Sequence, residues 1–150
     1  MTVQVWHDSH NPYDRFPFGA APAGSSVFLR LETDGQDLED LTVTLRVWQN
    51  GAGETITPMV REGNTFTVVL ALPRTGCLLW YYFILEQQGR RWYYGNNAGQ
   101  LGGRGQQWAK DPASYQITVF EKETHTPDWF KEAIVYQIFP DRFAASGQPK

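Results

Sequence analysis

The chain has one cysteine, Cys77, in 150 residues. A single thiol excludes an internal disulfide framework. Cys77 precedes Leu78 and Leu79, so a small buried thiol is the expected role. A cysteine nucleophile would need an activating histidine. His7, His10 and His125 are the only histidines, and all three sit in polar, turn-like or linker surroundings, so no such constellation is expected. Charge is sparse as well. The 13 basic and 16 acidic residues leave a net charge of −3, and no basic stripe is present, which argues against nucleic acid as a partner. No stretch approaches the ~18 apolar residues of a membrane helix, so no membrane partner is expected. The N-terminus, MTVQVWHDSHNPYDRF, lacks a basic segment followed by an apolar run and does not read as a signal peptide. With Met1 as the natural start, the expected location is cytoplasmic.

Helical periodicity is missing before residue 128, and no internal repeat is visible. Period-two alternation is abundant instead. In Ser26–Glu32, Val27, Leu29 and Leu31 share a face; in Leu41–Gln49, Leu41, Val43, Leu45 and Val47 alternate with Thr42, Thr44, Arg46 and Trp48. Phe66, Val68, Leu70 and Leu72 repeat the pattern in Thr65–Leu72, as do Tyr115, Ile117 and Val119 in Ser114–Phe120. Side chains of a strand point alternately to the two faces of its sheet, so these runs predict half-buried strands. Turn signals separate them: Gly63-Asn64 between Ile56–Arg61 and Thr65–Leu72, Asn50-Gly51-Ala52-Gly53, Gln87-Gln88-Gly89, and Pro73-Arg74-Thr75-Gly76. Seven or eight short strands with frequent turns predict an all-β chain, an antiparallel β-sandwich of immunoglobulin-like kind.

Two segments depart from this pattern. Cys77–Leu85, CLLWYYFIL, is apolar on both faces: Leu78, Trp80, Tyr82 and Ile84 on one, Leu79, Tyr81, Phe83 and Leu85 on the other. A sandwich strand normally shows one face to water, so a loop, another domain or a ligand should cover the second. Between Tyr93 and Pro112 regular structure is expected to stop, in a long loop rich in Gly, Asn and Gln. Its glycines match neither a GxGxxG nor a P-loop spacing, and no helix follows, so a phosphate cradle is not expected.

Glu121–Pro127 turns polar and reads as a linker. Beyond it a charged entry leads to the continuous apolar run Ala133–Phe139, closed by Pro140. A short run apolar on both faces predicts a fully buried strand, of the kind found in a parallel barrel.

Residues 129–143, WFKEAIVYQIFPDRF, resemble the opening of the catalytic (β/α)8 barrel in family 13 glycoside hydrolases, the α-amylase family. They are most similar to neopullulanase, maltogenic amylase and cyclomaltodextrinase-like members, which place a β-sandwich before the barrel. YDRFPFGAAPAGSSVFLRL, PRTGCLLWYYFIL and YYGNNAGQLGG resemble that N-terminal domain more loosely. The resemblance implies an N-terminal sandwich over residues 1–120, a linker over 121–128 and a truncated barrel start over 129–150. It implies a parent that hydrolyses or transfers α-glucosidic bonds by a retaining mechanism, using one carboxylate as nucleophile and one carboxylic acid as proton donor. In the family these follow the fourth, fifth and seventh barrel strands. The chain ends after the first, so no catalytic residue is expected within it. Tyr136 matches a tyrosine near the floor of the family's active site, and Asp141 and Arg142 match an acidic-Arg pair at that strand's end. Relatives carry calcium ligands just beyond; here Ala144, Ala145, Ser146, Gly147 and Gln148 supply neither carboxylate nor Asn, so no metal and no cofactor is expected.

For residues 1–120 the favoured expectation is a scaffold that packs on its own catalytic barrel, shapes the substrate cleft or forms a homodimer interface. The alternative is a module binding α-glucan or maltodextrin. Sugar rings stack on flat aromatic faces while amides bond the hydroxyls, and Trp92, Tyr93, Tyr94, Asn96, Asn97 and Trp108 offer both around one loop. Trp48 adds an outward ring. A third reading is an immunoglobulin-like interaction module unrelated to sugar. The apolar run Ala133–Phe139 is expected to dock on the sandwich or pair with another molecule, because exposed strand edges recruit partners.

Overall fold

A computed structural model describes residues 3–35, 38–139 and 147. Twelve strands precede one short helix: β1 (Gln4–Trp6), β2 (Arg15–Phe16), β3 (Ala21–Pro22), β4 (Ser26–Asp34), β5 (Thr42–Gln49), β6 (Gly53–Pro58), β7 (Val60–Glu62), β8 (Thr65–Ala71), β9 (Cys77–Gln87), β10 (Arg90–Gly95), β11 (Gln106–Trp108), β12 (Tyr115–Phe120) and α1 (Asp128–Glu132). They form a β-sandwich. One sheet runs β1-β4-β8-β7, with β2 also on β4. The other centres on β9, with β5 and β6 on one side and β10, β11, β12 and β3 on the other. Pairing is antiparallel except for β3 alongside β12.

The alternation in the sequence sets which side chains enter the core. Val27, Leu29 and Leu31 of β4 and Phe66 of β8 face Val43, Leu45 and Val47 of β5, Leu79, Tyr81, Phe83 and Leu85 of β9, and Tyr115, Ile117 and Val119 of β12; all are buried in one cluster. Val68 and Leu70 pack against it from β8.

Turn chemistry fixes the registers. Glu62 faces Thr65 across Gly63-Asn64, and Gly63 takes φ +61°, as the first position of a type II′ turn requires. Gln87 faces Arg90 across Gln88-Gly89, both with positive φ, the type I′ arrangement.

The doubly apolar run is β9, hydrogen-bonded on both edges and 11 residues long. One face fills the core. On the other, Ile84 is buried, Trp80 and Tyr82 are half-buried, and Leu78 is exposed, so the cover expected over this face is incomplete.

Two expectations are corrected. The stretch 93–112 is not all loop: Tyr93, Tyr94 and Gly95 pair with Trp108, Gln107 and Gln106, leaving 96–105 as the connection. The polar composition hid an edge strand whose Gln106 and Gln107 are exposed. Ala133–Phe139 forms no strand, and Ile134, Val135, Tyr136 and Ile138 lie exposed, so the expected docking on the sandwich is not found; the other expectation, pairing with a second molecule, is not addressed by a single chain. A strand apolar on both faces needs neighbours on two edges and two faces. The sandwich interior is filled by its own core, and β3 occupies β12 at Val119 and Phe120. The expected pair Asp141 and Arg142 lies outside the described residues.

Backbone packing is closest where the 96–105 connection returns to the sheet. A Cβ on Gly105 would collide with the Gly95 carbonyl oxygen and the Tyr115 hydroxyl, whereas one on Gly99 would make ordinary contacts. Gly105→Ala is therefore expected to cost about 1–3 kcal/mol in urea denaturation, and Gly99→Ala to stay within about 0.5 kcal/mol of the parent.

Candidate functional site

The site begins with the outward face of the β9 sheet. In β5 the side chains that alternate with the core are Thr44, Arg46 and Trp48; in β9 they are Leu78, Trp80, Tyr82 and Ile84; in β12 they are Gln116 and Thr118. Register brings Trp48 directly opposite Trp80, and Trp80 opposite Gln116. Arg46 lies opposite Tyr82. Directly opposed residues on one face have Cβ atoms roughly 5 Å apart, so Trp48 and Trp80 are cross-strand neighbours. Trp48 is 39% exposed and Trp80 half-buried.

Arg46 holds this arrangement. Its Nε donates to Glu54 at 2.6 Å, and its guanidinium lies 5.0 Å from the Tyr82 ring centroid and 5.6 Å from that of Trp48. Such contacts fix ring orientation and cover part of each ring. Partial burial pushes the Tyr82 hydroxyl above its ordinary range, with the Arg46 charge opposing.

These rings open onto a groove of about 850 Å³. It is lined by Trp48, Trp80 and Arg46 of β5 and β9, by Ser114, Gln116 and Thr118 in and beside β12, and by the loop residues His10, Phe18, Gln100 and Leu101. His10 and Phe18 meet edge-to-face at 5.7 Å. Arg15 lines it too, but its guanidinium donates to the carbonyls of Gln116 (2.9 Å) and Gly19 (2.8 Å). Arg46 is thus ion-paired, while Arg15 is buried on two backbone carbonyls with its Nε unpartnered among the described residues. The groove offers flat rings and neutral hydrogen-bonding groups, which suits an uncharged polyhydroxylic ligand.

The aromatic loop expected to bind sugar is placed differently. Trp92 and Tyr94 are buried, so their ring faces are taken by the core; Trp92 also has the Arg90 guanidinium 5.6 Å from its ring centroid. Alternation explains this: residues 92 and 94 fall on the inward face of β10, and Tyr93 falls outward, half-buried and edge-on to Tyr82 at 5.8 Å. Trp108 is half-buried and its Nε1 donates to the Asn96 carbonyl. Asn97 spends its amide on the loop: Nδ2 donates to the Gly102 carbonyl at 2.6 Å, and Oδ1 accepts from Leu101 N–H. Asn96 Oδ1 accepts from Asn97 and Gly102 N–H while its Nδ2 donates to the Ser114 carbonyl. The two asparagines shape the loop that carries Gln100 and Leu101 to the groove. Tyr136, 83% exposed, belongs to the apolar tail and is not among the groove residues.

The sequence reading had Trp48 as an outward ring but missed its pairing with Trp80. It also placed His7 in a polar turn. His7 is instead wholly buried between the sheets, bonded to Arg30 of β4 and Tyr81 of β9, and the signal lay in Val3, Val5 and His7, which alternate on one face. Its Nδ1 lies 2.7 Å from the Arg30 carbonyl, an acceptor only, so Nδ1 carries the proton and Nε2 accepts from the Tyr81 hydroxyl at 3.0 Å. The imidazole is held neutral. Burial lowers its pKa to about 4, the Arg15 charge adds to that, and the Arg30 carbonyl and the Asp8 charge oppose it.

Among the described residues no group of three or more His, Cys, Asp or Glu side chains is placed to hold a metal ion, and no helix is long and apolar enough to cross a membrane.

No protein-family model matches the chain. It is 37% identical over 145 residues to an amylopullulanase of Thermoanaerobacter thermohydrosulfuricus, a match covering 91% of this chain and 10% of that protein. The chain resembles one segment of an amylopullulanase. Amylopullulanases of Thermoanaerobacterium saccharolyticum and Thermoanaerobacterium thermosulfurigenes match at the same identity and the same share of this chain, covering 11% and 8% of those proteins. The chain spans about a tenth of the length of these relatives.

A neutral buried histidine makes stability depend on pH. Between the folded value of about 4 and the ordinary 6.5, the unfolded chain binds more protons, so stability falls as pH falls. The His7 contribution is present above pH 6.5 and gone below about 4, and amounts to roughly 3 kcal/mol. Asp14, whose carboxyl burial pushes up, acts in the opposite sense near its own titration. Urea denaturation from pH 7.5 to 4 should show this loss, and His7→Gln should lower stability at pH 7.5 while flattening the profile below it.

Proposed function

We propose that the chain is a non-catalytic β-sandwich domain of an α-glucan-acting glycoside hydrolase, and that its outward sheet face holds α-glucan. One observation carries the second part: Trp48 and Trp80 sit as cross-strand neighbours on a face that no described residue covers fully, and both line a groove with Ser114, Gln116, Thr118 and Gln100. Aromatic rings supply the flat apolar surface that the C–H faces of a pyranose seek, and Gln100, Gln116, Thr118 and Ser114 supply partners for hydroxyls. The amylopullulanase similarity supports the substrate class, since the relatives' name denotes enzymes of starch-type glucans. The resemblance of residues 129–143 to a barrel opening supports the placement of a catalytic barrel after the sandwich, with Tyr136 in its first strand.

In this reading Trp92, Tyr94, Asn97 and Trp108 act indirectly, by fixing the loop and the sheet edge, and Tyr93 steadies Tyr82. A second reading is favoured by the exposed apolar tail. Trp129 (70% exposed), Ile134 (83%) and Tyr136 need a partner, and a barrel packed on the sandwich or a second copy of the chain would cover them. Domain packing and glucan binding are compatible when they use different faces.

Calorimetric and fluorescence titration with maltoheptaose and β-cyclodextrin tests the binding. Trp80→Ala should weaken affinity at least tenfold, equivalent to about 1.4 kcal/mol, with Trp48→Ala behaving similarly. Trp108→Phe should stay within about twofold of the parent, a change worth only a few tenths of a kcal/mol. No response from the parent chain at millimolar sugar would sink the glucan-binding assignment and leave the packing role alone.

A further inference from the structure

Trp48 and Trp80 line a second depression besides the groove described above. It measures about 400 Å³ and is completed by Asn50, Cys77 and Leu78. It lies at the start of β9 and beside the turn that follows β5, on the side of the indole pair away from Gln100 and Leu101. The two rings are thus the shared wall of two open hollows on one sheet face, with Asn50 at one end and Gln100 at the other.

We infer that the two hollows form one through-going trough, which takes an internal stretch of a linear α-glucan and not a chain end or a single sugar. Three features carry this. The rings stand mid-trough, where they can stack on units that continue in both directions. Both hollows are open to solvent, so neither caps a terminus. Neutral polar side chains flank the rings on both sides (Asn50 on one, Gln116, Thr118 and Gln100 on the other), while Arg46 is paired with Glu54 and Arg15 is buried beneath the surface on backbone carbonyls. A polymer without charge matches that pattern along its whole length. The inference rests on the glucan-binding reading and adds the direction, extent and length preference of the ligand.

Cys77, the chain's one thiol, lines the far hollow and supplies a reporter. The 150-residue chain is titrated with maltose, maltotriose and maltoheptaose by tryptophan fluorescence. In parallel, N-ethylmaleimide labelling of Cys77 at pH 8.5 is followed by mass spectrometry with and without saturating sugar. Because partial burial and the Glu121 charge raise the Cys77 pKa, the same measurement is made on Leu78→Cys in a Cys77→Ser background, which puts the thiol on an exposed lining position. Affinity should rise at least tenfold from maltotriose to maltoheptaose, and saturating maltoheptaose should slow labelling at least fivefold at one or both positions. A fluorescence response with unprotected thiols at both positions overturns the through-trough, whatever the length dependence, and leaves binding in the larger groove standing. Equal affinity for maltotriose and maltoheptaose overturns it as well. No fluorescence response to any of the sugars defeats the binding reading itself.

Discussion

His7 ties the sandwich together. A neutral imidazole, fixed in one tautomer by the Arg30 carbonyl of β4 and the Tyr81 hydroxyl of β9, bridges the two sheets at their centre. Phe83 and Tyr115 meet its ring edge-on at 4.9 and 5.2 Å. Its own carbonyl accepts from the Tyr94 hydroxyl at 3.0 Å and from Gly105 N–H at 3.2 Å, which brings in β10 and the end of the 96–105 connection. Tyr115 divides its hydroxyl between that carbonyl and Gly103. A buried polar network is costly when half-satisfied and specific when complete. Here it sets where the loop lies, and the loop makes one wall of the groove.

This dependence explains which parts of the structure were legible beforehand. Alternation in β4, β5, β8 and β12 declared both strand and inward face, because a core between two sheets selects every second side chain. Gly63-Asn64 and Gln88-Gly89 declared their hairpins, because positive φ at those positions restricts the residue type. His7 was not legible in the same way. A polar residue in a short N-terminal run looks like a surface residue, and only its partners, 23 and 74 positions away in sequence, make burial affordable. The connection 96–105 shows the same limit: its Asn and Gly residues signal irregular backbone but not the asparagine bonds that hold it in one shape.

The groove was half legible for a related reason. Residues 92–108 combine four aromatic rings with asparagines, the composition a sugar site needs. Residue type says that a ring is present; strand parity says where it points. Parity sends Trp92 and Tyr94 inward and Trp48 and Trp80 outward. What parity could not supply was register across strands 32 residues apart, and that register is what makes Trp48 and Trp80 neighbours.

An exposed aromatic face on a small domain demands a reason, since uncovered rings promote association. Along the sheet the cover is graded. Tyr82 is closed over by Arg46 and Tyr93, Ile84 is buried, and exposure rises toward Trp48 and Leu78. A face built only to pack on a neighbouring domain would have no use for Arg46, because a guanidinium anchored to Glu54 on top of two rings leaves that contact polar and stiff. It has a use where rings must be held flat and separate for a ligand that comes and goes. The apolar tail differs: Ile134, Val135, Tyr136 and Ile138 are exposed in a segment joined to the last strand by a polar connection, and no described ion pair or cation–ring contact involves them. The two exposed surfaces thus differ in kind: the sheet face carries an anchored cation over its rings, and the described residues of the tail do not.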